Sequence, residues 1–326
     1  MSAQPKTVAF IGASGGIGLA TLRQTLAAGH RCIALCRDPS KLSALLPHVD
    51  LVNPAYASEK LFLVKGNAHD IDAVSQCLVA PSSNGQPGRL VDVVVSSIGG
   101  KMIFSKMALD DPNVCEKGMS TLLEAIALLR ARGVASNNSI EQTPRIVAIS
   151  TTGISQHGRD VPLAFMPMYH GMLRVPHADK RAMENRLVSS GELYALVRPS
   201  FLTDDDDPAS PIEHKPSDAS TSASISSSLG AGLTKKQIKD RTKGELKEHE
   251  KTARDDFKVL KDKYKKEGVY QSIRVGIEDP VAGRRVSSAV GYTISRADAG
   301  RWMAEHLVLP AQLSDTYARK IATITY

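Results

Sequence analysis

The feature that most constrains this chain is a glycine turn set between a strand and a helix close to its start. An apolar run, Thr7–Ile11, stops at Gly12-Ala13-Ser14-Gly15-Gly16-Ile17-Gly18. Apolar residues then recur at helical spacing over residues 17–28, up to Gly29. In such a turn the first glycine permits the tight bend, the second lets backbone approach a pyrophosphate, and the third lets the helix pack on the sheet. The N–H groups and positive dipole end of the helix would then face the phosphates. Gly12, Ser14, Gly15, Gly16, Ile17 and Gly18 are therefore the expected core of a dinucleotide site. The competing reading is a glycine-rich turn with no ligand.

Strand and helix patterns keep alternating after the turn. Strands are expected at 31–36, 61–64, 91–95, 145–150, 193–197 and 321–325. Helices are expected at about 70–80, 115–130, 180–190 and 295–307, and one opens at Asp38-Pro39 with Asp38 as N-cap. Ser295-Arg296-Ala297-Asp298 has the form of a capping box with Asp for the usual Glu. This order predicts an α/β fold, a doubly wound parallel sheet of the Rossmann kind. The pattern breaks at Asp204-Asp205-Asp206-Asp207, which leads into a Pro/Ser/Ala/Thr-rich stretch and then a charged, helix-prone segment. The expected organisation is one domain, 1–203 plus 268–326, carrying a flexible, basic helical insertion at 204–267.

Charge bears on partners through its location. The formal net charge is +7, but residues 235–266 alone hold thirteen Lys/Arg against seven Asp/Glu. The rest is close to neutral, which argues against a nucleic-acid partner. The polar start, Met1 to Lys6, is expected to carry no secretory signal, and no run approaches the roughly 20 apolar residues of a membrane span. A cytoplasmic monomer or homodimer is expected. The four cysteines lack paired or metal-type spacing, so buried reduced thiols and no metal are expected.

The second strand bears on which dinucleotide binds. NAD sites usually place Asp or Glu at its end to hold the ribose 2′-OH. Here it ends Leu35-Cys36-Arg37. Asp38 is better used as a helix cap, while Arg37 can stack on adenine and pair with a 2′-phosphate, with Lys41 one turn on. NADP(H) is thus favoured over NAD(H); a solvated surface arginine is the alternative. Asn67, after the third strand, is expected beside the adenine, and Ser97, Ile98 and Gly99, after the fourth, on the nicotinamide-ribose side. Plain strand-to-loop turns are the alternative there.

Gly-Ala-Ser-Gly-Gly-Ile-Gly, Cys-Arg-Asp-Pro-Ser-Lys-Leu at 36–42, Arg198-Pro199-Ser200 and Gly291-Tyr292-Thr293-Ile294-Ser295-Arg296 together resemble the atypical short-chain dehydrogenase/reductase superfamily. The branch they look most like is the NmrA-like and biliverdin-IXβ (flavin) reductase-like NAD(P)-binding proteins. The likeness covers about residues 5–203 and 270–326, and implies cofactor contacts at Lys180, Pro199 and Ser200. The superfamily's best-known members use a Ser and a Tyr-x-x-x-Lys. Thr151 matches the hydroxyl and Lys180 the lysine, but Pro176 stands where the tyrosine would be.

Thr151 and Lys180 are therefore candidate catalytic groups. Tyr169 and His170, with His177, are read as lying in a loop before the lysine helix, where one of them can replace the missing acid. A structural hydroxyl, a surface lysine and ordinary loop residues are the alternatives. The apolar, Met-rich loop 161–169 suggests a wall for a flat or hydrophobic small-molecule substrate, with core packing as its rival. The expected function is an NADPH-dependent reductase of a hydrophobic carbonyl, enone, imine or flavin-like acceptor. An NADP(H)-binding redox-sensing regulator and a redox-neutral isomerase or dehydratase are the alternatives.

Overall fold

The computed structural model describes residues 5–46, 60–81, 88–100, 102–103, 108–135, 144–166, 173–204 and 272–326. The insertion beyond Asp204, and with it the expected basic helix, lies outside the described residues, as do Tyr169 and His170. The main sheet runs β1 (Thr7–Ile11), β2 (Arg31–Cys36), β3 (Leu61–Lys65), β4 (Val93–Ser96), β7 (Arg145–Ile149), β8 (Tyr194–Pro199), β10 (Arg274–Asp279), β11 (Arg284–Arg285) and β13 (Lys320–Thr325). Two short pairs stand apart: β5 (Met102–Ile103) with β6 (Ala108–Leu109), and β9 (Phe201–Thr203) with β12 (Thr293–Ser295).

The spatial order is β3-β2-β1-β4-β7-β8-β13-β10-β11, parallel from β3 through β13 and antiparallel for the last two strands. The doubly wound sheet is therefore as expected. The antiparallel edge is a correction: in residues 274–285 only Val275 and Ile277 alternate before the polar Glu278 and Asp279, and the strand character comes from pairing with β13.

Side-chain alternation divides the interior into two layers. Val8 and Phe10 of β1 point into one core with Leu22 of α1 (Gly16–Ala27), Leu42 of α2 (Pro39–Ala44) and Trp302 of α6 (Arg296–Met303). Ala9 and Ile11 point into the other, with Val74 of α3 (Ile71–Cys77), Met119 and Ile126 of α4 (Val114–Ala131), and Met183 and Leu187 of α5 (Arg174–Ser189). Burial on both faces is why the central strands read as continuous apolar runs. Cys32, Cys36, Cys77 and Cys115 are all free and buried. Burial pushes the Cys77 thiol up to about 12, which leaves it a protonated packing group.

Three helix boundaries differ from expectation. α5 begins at Arg174, six residues early, so Pro176 and His177 lie in its first turn, and His177 is buried rather than in a loop. A first-turn proline removes no intrahelical hydrogen bond, so it does not break the helix there. α3 is shorter than expected, ending at Cys77. α6 gives way at Ala304 to a π-helical turn, Ala304–Val308. At its other end Ser295 Oγ accepts from Asp298 N–H at 3.0 Å. The reciprocal half of the box is missing, however: Asp298 pairs with Arg301, and Ser295 N–H donates to the Tyr326 hydroxyl at 3.2 Å.

Candidate functional site

The glycine turn closes on the segment after β4. A Cβ on Gly12, where φ is +91°, would lie 2.7 Å from the Ser97 carbonyl oxygen. One on Gly18 would lie 2.8 Å from both the Gly12 carbonyl oxygen and Ser97 Cβ. Ser97 N–H also donates to the Ile11 carbonyl at 2.8 Å. Both glycines are thus needed for strand, helix and Ser97 to meet. Gly15 is different: nothing among the described residues lies within 4 Å of a Cβ there. Ser14, Gly15 and Gly16 are exposed, whereas the Ile17 side chain is core.

Among the described residues no side chain caps α1, although Asp38, Asp70 and Ser295 cap α2, α3 and α6. An exposed, uncapped helix start behind a glycine with open space above it suits a bound pyrophosphate. The turn lies at the carboxyl end of β1, between β2 and β4, where the strand order reverses.

At the end of β2, Asp38 is committed to α2. Its carboxylate accepts from Ser40 N–H at 3.1 Å, Ser40 Oγ at 2.6 Å and Lys41 N–H at 3.4 Å. The Ser40 hydroxyl and the Lys41 N–H hold this carboxyl below its ordinary range. Arg37 and Lys41 are both exposed. Asn67 is exposed beyond β3, its side-chain oxygen accepting from His69 N–H at 3.2 Å in a local turn. Ile98 is half-buried and Gly99 exposed.

Lys180 is not a surface lysine. Its ammonium donates to the Ile98 carbonyl at 2.8 Å and the Ile149 carbonyl at 2.7 Å, bridging the carboxyl ends of neighbouring β4 and β7. Thr151, half-buried, stands two residues past the end of β7, and its hydroxyl donates to the Thr152 carbonyl at 3.2 Å. Asp179 fixes the lysine's helix from the other side. Its carboxylate accepts from the N–H groups of Cys115 and Glu116, each at 2.9 Å, and so caps α4. Pro199 and Ser200 end β8 and are buried. The Pro199 carbonyl accepts from Thr152 N–H at 3.3 Å, and Ser200 Oγ has no hydrogen-bond partner among the described residues.

A buried charge network supports this edge. Arg198 donates to both oxygens of Glu184, at 2.8 and 2.6 Å, and to Glu278 at 2.7 Å. Glu278 also accepts from Arg285 at 2.8 Å and from Ser155, in the loop after Thr151, at 2.5 Å. Asp160, further along the same loop, accepts from Gly153 N–H at 3.0 Å. Burial raises its carboxyl above the ordinary range, opposed by Arg198. In the sequence Arg198 stands only as part of a motif; the buried acids that need it come from α5 and β10.

Beside the loop an aromatic surface assembles from three segments. Phe165, in the 3-10 turn Leu163–Phe165, packs edge-on against Tyr292 at 5.3 Å and Phe201 at 6.3 Å between ring centroids. Phe201 and Tyr292 remain about half exposed (48% and 56%) and Leu163 70%, so this is surface rather than core. A groove between α4 and α5, lined by Ser120, Leu123, Asn185 and Arg186, holds none of the candidate site residues. Among the described residues no His/Cys/Asp/Glu group could hold a metal ion, and no helix is long and apolar enough to cross a membrane.

Residues 12–240, which begin at the first glycine of the turn, match the NAD(P)H-binding family. The chain belongs to that family. This NAD(P)H-binding protein is 36% identical over 339 residues to Reductase pytE of Aspergillus terreus, covering 100% of both chains. It is 29% identical over 324 residues to Oxidase pynE of Aspergillus niger, covering 93% of each. Among solved structures it is similar to a short-chain dehydrogenase/reductase (wide type) from Veillonella parvula in complex with NADP. There the identity is 12% and the TM-score 0.54, over 98% of this chain and 94% of the other. That likeness is one of fold. The expected resemblance is borne out as membership of an NAD(P)H-binding family and as a Rossmann-type fold.

Proposed function

We propose that this protein is an NADPH-dependent reductase acting on a hydrophobic carbonyl, enone, imine or flavin-like acceptor. One observation above all supports it: the Lys180 ammonium tied to the ends of β4 and β7, with Thr151 beside it and the aromatic surface adjoining. Bound NADPH supplies the hydride. Gly15, Gly16 and the start of α1 hold the pyrophosphate, with Ser14 at its edge. Asn67, Ser97, Ile98, Gly99, Pro199 and Ser200 shape the remainder of the cofactor groove. Lys180 fixes the two strand ends and presents its remaining N–H to the ribose. Thr151 turns its hydroxyl from the Thr152 carbonyl to the acceptor atom, and Phe165, Phe201 and Tyr292 hold the apolar body of the substrate. Pro176 carries no ionisable group, so the proton comes from solvent, Tyr169 or His170. The relative named a reductase is consistent with this direction of reaction. The division into 1–203 plus 268–326 with an insertion is proposed on the same footing.

The test is NADPH oxidation across a panel of hydrophobic carbonyls, imines and flavins. Absence of turnover with tight NADPH binding would reject the reductase reading in favour of a sensor.

Cofactor choice is expected to rest on Arg37, since Asp38 is engaged by α2. NADPH should bind at least about tenfold more tightly than NADH, and Arg37→Asp should reverse the order. Calorimetric titration with both cofactors reads this directly; equal affinities in the parent protein refute it.

Phe201→Ala should raise KM for an aromatic acceptor by about tenfold with little change in kcat, because it removes apolar contact made equally before and during reaction. A change confined to kcat would remove Phe201 from the substrate wall.

A further inference from the structure

We propose that Arg296 is a phosphate-binding residue of the cofactor site, and that it exchanges an ion pair with Asp204 for the pyrophosphate of the bound dinucleotide. The proposal rests on the glycine turn being the cofactor site, and adds a residue from the far end of the chain to it.

The position of Arg296 is set by helix packing. α6 lies against α1 so closely that a Cβ on Gly300 would be 2.4 Å from Ala20 Cβ, and Thr21 Oγ1 donates to the Gly300 carbonyl at 3.3 Å. Ser295 caps α6, which fixes where its first residue, Arg296, emerges. The side chain then runs over the exposed turn. Arg296 Cδ and Nε lie 3.9 and 4.0 Å from where a Cβ on Gly16 would be, and among the described residues nothing else approaches that point within 4 Å.

Electrostatics show what this arrangement lacks. Arg296 lies beside the uncapped N-terminus of α1 and is itself at the N-terminus of α6. Both are positive dipole ends, where a cation is disfavoured and an anion is favoured. The only carboxylate paired with Arg296 among the described residues is Asp204, and its side chain is 86% exposed. So exposed an ion pair is weak and screened by salt. Arginine's planar fork instead makes strong paired hydrogen bonds to phosphate oxygens. A pyrophosphate on the glycine turn would satisfy the guanidinium and both helix ends together, and Asp204 is the anion it displaces.

The test is the dissociation constant for NADPH and for NADH by calorimetry, with thermal unfolding of each cofactor-free variant as a folding check. Arg296→Gln should weaken both cofactors alike, by about ten- to a hundredfold, since the pyrophosphate is common to them. Asp204→Asn should tighten both by about two- to fivefold by removing the competitor. In the Arg296→Gln background it should do nothing. Arg37→Asp, by contrast, should affect the two cofactors in opposite directions. Unchanged affinities in Arg296→Gln, while Gly15→Val abolishes binding, would overturn the proposal and leave the glycine-turn site standing. If Gly15→Val also binds normally, the cofactor site itself is misplaced and the proposal falls with it. Should Arg296→Gln lose cooperative unfolding, Asp204→Asn alone decides: tighter binding supports the exchange, and unchanged binding overturns it.

Discussion

Arg198→Met is expected to destabilise the protein by about 3–5 kcal/mol, the usual result of removing one partner from a buried ion cluster. Arg198, Glu184 and Glu278 are each at least 95% buried, and without the guanidinium two carboxylates face one another in the core. Burial alone would weaken the charge on Arg198, but the hydrogen-bonded Glu184 and the nearby Glu278 outweigh it and hold its pKa raised. Burial likewise pushes Glu278 upward, while Arg198, Ser155 and Arg285 more than reverse this, so its carboxyl is held below the ordinary range.

The sign of the pH dependence follows. A carboxyl with a lowered folded-state pKa adds stability above its unfolded value and loses it as pH falls through the folded one. The parent protein should therefore weaken below the ordinary Glu range, and Arg198→Met should flatten that dependence. Asp160 acts in the opposite sense, because its pKa is raised: its contribution is complete below its unfolded value and declines as pH rises through the folded one. Urea unfolding at several pH values measures both effects. Replacing Arg198, Glu184 and Glu278 together by Met or Leu should restore most of the lost stability, as volume-matched apolar replacements of buried ion clusters often do. If Arg198→Met unfolds at the parental midpoint, the cluster carries no stability.

Thr151→Ala is expected to lower turnover by about ten- to a thousandfold while leaving the NADPH dissociation constant nearly unchanged, the range for losing one polarising donor. The Thr151 hydroxyl rests on the neighbouring Thr152 carbonyl at 3.2 Å, a weak contact that an acceptor oxygen can replace. Thr152 differs: it is fully buried and its Oγ1 donates to Pro199 at 3.4 Å, so its substitution should act on stability instead. Thr151→Ser should retain most activity. Tyr169→Phe and His170→Ala separate the proton routes, since whichever residue is the acid should alter the pH–rate profile. Full activity in Thr151→Ala on a turned-over substrate would remove this residue from the mechanism.

The sequence alone determined what local chemistry determines. The glycine turn was legible because only glycines tolerate the bend at Gly12 and the contact at Gly18. The Asp38 and Ser295 caps were legible because a side-chain oxygen before a helix finds N–H groups two and three residues on. The central strands were legible because burial on both faces demands unbroken apolar runs.

The tertiary structure decided whatever depended on a distant partner. β10, Arg-Val-Gly-Ile-Glu-Asp, looks polar along the chain. It is an interior strand because Arg198 and Arg285 neutralise Glu278, and Lys320 pairs with Asp279. Lys180 had no sequence signal for binding two strand-end carbonyls, and Asp179 none for capping a helix 63 residues away. Arg296 reaches the first glycine turn only because α6 packs on α1. A charge can be buried or aimed only once its counter-charge and its helix are in place, and both come from parts of the chain that sequence spacing does not relate.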